Sequence, residues 1–241
     1  MATAAVWNRE NLDNLIERLD PRRGSPLFVA WRVFLVIVMI GLVALSYYPA
    51  SVATAARSYD LTTALDRAIP FVPWTWWIYF PHYVLGLMIT TVFLPDPRIM
   101  FRVFLAILLG QVISCTTYFI VPSAFPRPTS VGDADPITAA ALTWFWGIDP
   151  PNNTFPSTHV ANACMAAMGA WYSRHPVRWY SLAMATGVFI TVHTAKQHYW
   201  VDAVAGVLVA WFCFRLAFRL WPLAEDGVPS ETPREASAAG A

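Results

Sequence analysis

The sequence predicts an all-α integral membrane protein with six transmembrane helices, and three observations support this fold class. First, 57% of the 241 residues are hydrophobic and only 13% are charged, whereas soluble domains carry about 25% charged residues. Second, the apolar residues gather in six runs that approach the roughly 20 residues needed to cross a bilayer. Third, these runs lack the two-residue alternation of a transmembrane β-barrel, so their backbone hydrogen bonds must be made within helices.

The six apolar runs are residues 28–48, 74–95, 101–121, 158–173, 179–195 and 199–221. They define a membrane domain over residues 28–221, between a cytoplasmic segment, 1–27, and a cytoplasmic tail, 222–241. The tail is small, polar and proline-containing, which predicts disorder. No cleavable signal peptide is expected, because the first 27 residues are polar and charged.

Residues 122–157 form a long loop between the third and fourth runs. The loop is rich in proline and contains a short apolar stretch, 137–146, which is predicted to lie as a helix along the membrane surface. Loops of this length in compact proteins are usually functional or disordered.

The distribution of arginine predicts the orientation of the chain. Cytoplasmic loops are enriched in Lys and Arg, and placing both termini in the cytoplasm leaves only Arg57, Arg67, Arg127 and Lys196 outside. The prediction is a multi-pass protein of the plasma or inner membrane, with the 122–157 loop on the extracytoplasmic face.

Composition also excludes some functions. The net charge of +1 argues against nucleic-acid binding, which needs a basic surface. The cysteines, Cys115, Cys164 and Cys213, lie in apolar runs without metal-ligand spacing. The cysteines are interpreted as small buried apolar residues, and no cofactor is expected. The expected partners are the bilayer and a lipid, and the oligomeric state is left open.

Three polar clusters share the predicted outer face. They are Arg127 between two prolines, the segment 156–159 that opens the fourth run, and the segment 193–202 between the fifth and sixth. Ionisable residues at membrane level are costly and mark functional sites by default. Their convergence predicts an active site on the extracytoplasmic face.

The residue spacing in these clusters indicates phosphate chemistry. Asp202 lies one helical turn after His198, so its carboxylate can orient one imidazole nitrogen and leave the other as a nucleophile or base. Ser157 and Thr158 stand at a helix start, where backbone amides bind anions. The guanidinium of Arg127 can chelate two phosphate oxygens.

These clusters resemble the three signature motifs of the type 2 phosphatidic acid phosphatase superfamily, K-x6-R-P, P-S-x-H and S-R-x5-H-x3-D. Arg127-Pro128 matches the end of the first motif, the segment from Pro156 to His159 matches the second, and His198 with Asp202 matches the H-x3-D of the third. The order and spacing agree across roughly residues 28–221.

The sequence departs from the family pattern at two places. Ile120 stands where the first motif has lysine, and Thr191 and Val192 replace the Ser-Arg pair of the third. Two cationic phosphate ligands are therefore missing, and Lys196 and His193, in the same segment as the third motif, are candidates to replace them.

The resemblance also implies a mechanism and a substrate class. His198 would attack phosphorus to form a phosphohistidine, Asp202 would orient it, and His159 would protonate the leaving alkoxide. Segments 70–79 and 198–206 are similar to the inositolphosphotransferase branch, which includes inositol phosphorylceramide synthases. The implied substrate is a lipid phosphate, and the phosphoryl or headgroup acceptor is water, an alcohol or a second lipid.

Three other functions remain open at this stage. His159, His193, His198 and Asp202 include the ligand types of a zinc hydrolase. Ser157 with a histidine would be a serine-type membrane hydrolase. A non-catalytic lipid transporter would not require three ionisable motifs on one face, and the sequence shows no paired interrupted helices.

Overall fold

The computed structural model describes residues 9–21 and 25–222 of the chain. Within these residues the secondary structure is helical, with two isolated β-bridges and no strands. The predicted all-α fold class is therefore confirmed. The predicted tail lies outside the described residues except for Pro222.

The described residues form nine α-helices. Their bounds are α1 Arg9–Leu19, α2 Pro26–Thr54, α3 Ala64–Ala68, α4 Tyr83–Phe93, α5 Pro97–Ile120, α6 Pro136–Ile148, α7 Thr158–Tyr172, α8 Val177–Thr194 and α9 Trp200–Leu220. Each of the six apolar runs of the sequence forms one of the helices α2, α4, α5, α7, α8 and α9. The apolar stretch of the long loop forms α6.

Three of these helices are long and apolar enough to cross a membrane by length and composition: Pro26–Arg57, Pro97–Ile120 and Trp200–Leu220. The helices α4, α7 and α8 are shorter or more polar. The protein is thus a helical membrane protein, while the count of six spans and the orientation of the termini stay predictions.

Local sequence signals explain several helix starts. Proline stands first in α2, α5 and α6, where its missing N–H is not needed. The Asp96 and Asp135 carboxylates cap α5 and α6 by accepting backbone N–H groups of the first turn. Pro81 falls within a π-helical turn, Ile78–His82, that leads directly into α4. Such turns are frequent at functional sites.

Helix α7 is the centre of the bundle and packs against α5, α8 and α9. Its buried face consists largely of small residues, including Ala163, Ala166 and Ala170. Small side chains let helix backbones approach closely in a membrane protein, where dispersion and hydrogen bonds drive association. The close packing fixes the start of α7 relative to that of α9.

Two fully buried arginines hold α1 and the chain after it against the bundle. Arg102 of α5 forms an ion pair with Asp13 at 3.2 Å, and Arg32 of α2 forms one with Asp20 at 2.7 Å. Arg32 also donates to backbone carbonyls at the end of α4, including that of Thr91 at 3.0 Å. This arginine-rich end of the bundle includes the start of α5, whereas the polar clusters lie beyond its other end.

Candidate active site

The three polar clusters predicted from the sequence come together at the end of the bundle where α5 ends and α7 and α9 begin. A cavity of about 20 Å³ lies between them. Its lining includes Arg127, Asp149, Thr158, His159 and His198. The elements that carry these residues are the long loop, the first turn of α7 and the turn before α9.

The ring of His198 is oriented by two hydrogen-bond acceptors on one side. Its Nδ1 lies 3.0 Å from the carbonyl oxygen of Thr154 and 3.3 Å from Oδ2 of Asp202. Both neighbours are acceptors, so Nδ1 carries the proton in the neutral ring and Nε2 carries the lone pair. His198 is buried, and its ring lines the cavity.

Asp202 is fully buried and links the two helix starts. Its Oδ2 accepts a hydrogen bond from the backbone N–H of Tyr199 at 3.0 Å, besides facing His198. Its backbone carbonyl accepts from the N–H of Ser157 at 3.0 Å. Gly206, one turn further along α9, lets this approach occur, because a Cβ there would lie 2.6 Å from the Ser157 carbonyl oxygen.

The carbonyl of Thr154 is positioned by the end of α2. The Asn152 side chain accepts from the Ser51 hydroxyl and donates to the Ser51 backbone carbonyl, and the Asn153 side chain accepts from the Thr54 hydroxyl at 2.7 Å. Asn153 has a left-handed backbone (φ 59°), which asparagine tolerates better than most residues. The long loop is therefore ordered at the point where it contacts His198.

His159 faces His198 across the cavity, with their ring centroids 5.9 Å apart. The hydroxyl of Tyr79 lies 3.2 Å from Nδ1 of His159 and 3.4 Å from Nε2, and the two ring centroids are 4.7 Å apart. Tyr79 comes from the π-helical turn that precedes α4. The second histidine is thus held in an aromatic setting between Tyr79 and Tyr83.

Arg127 presents its guanidinium to the same cavity. Its Nη2 forms an ion pair with Asp149 at 3.0 Å and donates to the side-chain oxygen of Gln197 at 3.3 Å, and Nη1 donates to the carbonyl of Trp146. Its Nε is buried and has no hydrogen-bond partner in the described part of the chain. Burial raises the pKa of the Asp149 carboxyl above its usual range, although Arg127 opposes this shift.

Ser157 and Thr158 occupy different positions at the start of α7. Ser157 is fully buried, its Oγ caps the helix by accepting from the N–H of Val160, and its own N–H is bonded to Asp202. Thr158 lines the cavity. Thr158 therefore lies at the cavity, whereas Ser157 fixes α7 to α9.

Lys196 and His193 lie in the turn before α9 but are not among the residues that line the cavity. The Lys196 ammonium donates to the backbone carbonyls of Asp66 and Ile69, near the end of α3. Burial lowers the pKa of Lys196, and Asp66 opposes this shift. Nδ1 of His193 lies 3.5 Å from the carbonyl of His198. A role for either side chain in place of the missing cations of the family pattern stays a prediction.

The residues that stand in place of the missing cations do not supply a charge. They are Ile120, Thr191 and Val192. Ile120, at the end of α5, is 72% exposed. Thr191 donates its hydroxyl to the carbonyl of Gly187 at 2.7 Å, and Val192 is fully buried. Among the residues that line the cavity, Arg127 is the one lysine or arginine.

A larger apolar cavity of about 220 Å³ adjoins the polar one. It is lined mainly by apolar side chains of α2, the π-helical turn and α4, including Met39, Val43 and Leu87. Thr158, His159 and Asp149 line both cavities. His159 therefore stands at the boundary between a polar and an apolar compartment.

Sequence reasoning missed four residues of the site: Tyr79, Asp149, Thr154 and Gln197. Tyr79 lies in the aromatic segment 70–79, where aromatic residues are also typical of membrane interfaces. Asp149 is the first carboxylate after the apolar stretch 137–146 of the loop. This position is the one feature of the sequence that could have indicated its role. Thr154 contributes a backbone carbonyl, which leaves no mark in a sequence.

The described residues contain no group of three or more His, Cys, Asp or Glu side chains placed to hold a metal ion. The hydroxyl of Ser157 is committed to capping α7.

Comparison with known proteins agrees with the motif pattern. No curated protein matches the chain. The family model of the PAP2 superfamily, whose members are generally phosphatases and phosphotransferases, matches residues 99–225 and covers all the motif residues above. With more than half of its length matched, the chain belongs to the PAP2 superfamily.

Proposed function

We propose that this protein is a membrane phosphoryl-transfer enzyme that acts on a lipid phosphate through a phosphohistidine at His198. Membership of the PAP2 superfamily supports the reaction class. The observation that carries the proposal is the position of His159, which lines both the polar and the apolar cavity. The bond that joins a phosphate to a lipid must lie at such a boundary.

In the first step, the Nε2 lone pair of His198 forms a bond to phosphorus while the bond from phosphorus to the lipid oxygen breaks. The leaving alkoxide takes a proton from His159, so that His159 enters this step in its protonated form. Asp202 and the Thr154 carbonyl stabilise the positive charge that develops on the His198 ring, as a carboxylate does in a catalytic triad. Arg127 stabilises the charge on the phosphoryl oxygens.

In the second step, the phosphoryl group leaves His198 for an acceptor hydroxyl. His159, now neutral, takes the proton of water or of an alcohol as the acceptor oxygen attacks phosphorus. Water gives hydrolysis, and an alcohol or lipid hydroxyl gives headgroup transfer. Neither step uses a metal or a cofactor.

The phosphohistidine is tested by supplying the purified protein with a lipid whose phosphorus is radiolabelled. We expect acid-labile label on the wild-type chain during turnover, and neither label nor turnover with His198→Ala. His175→Ala is the matched control, because His175 lies in the turn between α7 and α8, at the far end of α7 from the site. Full activity of a folded His198→Ala protein would overturn the proposal.

The acceptor is identified in the same assay by adding candidate alcohols. Label that leaves as inorganic phosphate under all conditions indicates a phosphatase. Label that enters a new lipid only when an alcohol or lipid acceptor is present indicates a transferase.

A further inference from the structure

Asp149 lies against the Arg127 guanidinium, which is proposed to bind the substrate phosphate. Its Oδ2 is 3.0 Å from Nη2 of Arg127, and the two side chains are 18% and 13% exposed. Asp149 directly follows α6, and its backbone N–H donates to the carbonyl of Phe145 at 2.9 Å. A carboxylate is thus built into the position of an anionic ligand.

The size of the polar cavity shows that a phosphate cannot simply be added to this arrangement. A volume of about 20 Å³ holds roughly one water molecule. A phosphoryl group must therefore displace something, and the group that shares its charge and its partner is the Asp149 carboxylate. The buried Nε of Arg127, unpaired within the described residues, is a further donor for the incoming oxygens.

The charge balance of the cavity determines how strongly it attracts an anionic ligand. Its lining contains one lysine or arginine, Arg127, and one aspartate or glutamate, Asp149. The formal charges of these two side chains sum to zero. Lys196 is turned to the carbonyls near α3, and Asp202, behind His198, adds a negative charge. A phosphomonoester brings about −1.5 to −2 charges at neutral pH, whereas a phosphodiester brings one.

We propose that Asp149 is a specificity-determining residue, which competes with the substrate phosphate for Arg127 and thereby disfavours doubly charged phosphomonoesters relative to singly charged phosphodiesters. The inference rests on the proposed phosphoryl-transfer function. It assigns discrimination by charge to a residue that lies between the motif residues and outside the motifs themselves.

The activity test compares two lipids with the same acyl chains, phosphatidic acid and phosphatidylmethanol. Asp149→Asn keeps the shape of the side chain and removes its charge. We expect it to raise kcat/KM for phosphatidic acid relative to phosphatidylmethanol by roughly tenfold, because a unit charge next to the bound phosphate is removed. An unchanged ratio would overturn the inference.

Asp135→Asn is the matched control. Asp135 directly precedes α6. The helix has 13 residues, so Asp135 lies about 20 Å from the end of α6 that Asp149 follows. It caps α6 by accepting from the N–H groups of Ile137 and Thr138, and asparagine caps equally well. This variant should leave the ratio unchanged.

A binding measurement separates this inference from the proposed function. Inorganic phosphate and dimethyl phosphate are titrated into the wild-type, Asp149→Asn and Asp135→Asn proteins. We expect Asp149→Asn alone to gain roughly tenfold in affinity for inorganic phosphate relative to dimethyl phosphate. That gain without any lipid turnover would refute the proposed reaction and leave the role of Asp149 standing. Turnover with equal anion preference in all three proteins, or no anion binding by Asp149→Asn, would refute the role of Asp149.

Discussion

The contact between α7 and α9 at Gly206 offers a sharp test of how the two histidines are positioned. A Cβ at this position would lie 2.6 Å from the carbonyl oxygen of Ser157, 3.2 Å from Cβ of Val160 and 3.4 Å from the N of Ala161. The nearest of these atoms belongs to the backbone, so no side-chain rotation relieves the clash. Gly206→Ala must therefore move one helix against the other.

The size of the movement follows from these distances. Ordinary van der Waals contact begins at 3.4 Å, so the Ser157 carbonyl must retreat by about 0.8 Å. Because His159 follows Ser157 by two residues and His198 precedes α9, this shift changes the separation of the histidines. Misplacement of reacting groups by about 1 Å costs on the order of 100-fold in rate. We expect kcat to fall by roughly 10- to 100-fold.

Stability should change much less than activity. Overpacking costs about 1–3 kcal/mol, and replacing glycine by alanine in a helix returns about 1 kcal/mol. Gly41→Ala in α2 is the control, because its added Cβ meets no atom within 4 Å. Turnover of a lipid phosphate and the melting temperature in detergent are measured for both variants. Wild-type kcat in a folded Gly206→Ala protein, or an equal loss in Gly41→Ala, would show that this contact does not set the geometry of the site.

Three further predictions concern features away from the nucleophile. Asp13→Asn should lower the unfolding free energy by about 2 kcal/mol without changing kcat, because it weakens the pairing of the fully buried Arg102. Glu17→Gln, at a half-exposed position, is the control. Equal melting temperatures of the two variants would contradict this prediction. Lys196→Met should lower the melting temperature while KM changes less than about twofold, since the ammonium bonds to backbone carbonyls rather than lining the cavity; a large rise in KM would return Lys196 to the phosphate site. A strong chelator should leave turnover unchanged, and loss of activity that zinc restores would favour a metal enzyme.

The fold class and the central pair of the site could be predicted from the sequence because both depend on short-range patterns. Apolar runs of nearly 20 residues dictate helices in a membrane. The spacing of His198 and Asp202 predicts one helical turn between them, and the structure places Nδ1 3.3 Å from the carboxylate. Arg127, Thr158, His159 and His198 also meet at one cavity as the motifs indicate.

The remaining parts of the site depend on long-range placement that no local pattern encodes. Asp149 meets Arg127 across 22 positions of an irregular loop. The position of Lys196 in the sequence makes it a candidate for phosphate binding but does not show what its side chain contacts. Its left-handed backbone (φ 53°) lies in the turn before α9, and its side chain reaches the carbonyls near α3, more than 120 positions away.

The electrostatics of the cavity follow from what the sequence lacks. Isoleucine stands in place of the lysine of the first motif, and threonine and valine stand in place of the Ser-Arg pair of the third. Arg127 is therefore the one lysine or arginine among the residues that line the polar cavity. A single cation paired to a carboxylate leaves little net attraction for a dianion. For the proposed lipid phosphate substrate, we expect affinity to come mainly from the lipid portion, because the apolar cavity beside His159 can bury hydrocarbon. We therefore expect that shortening the hydrocarbon chains of the substrate weakens binding to this protein more than removing one contact to a phosphate oxygen does.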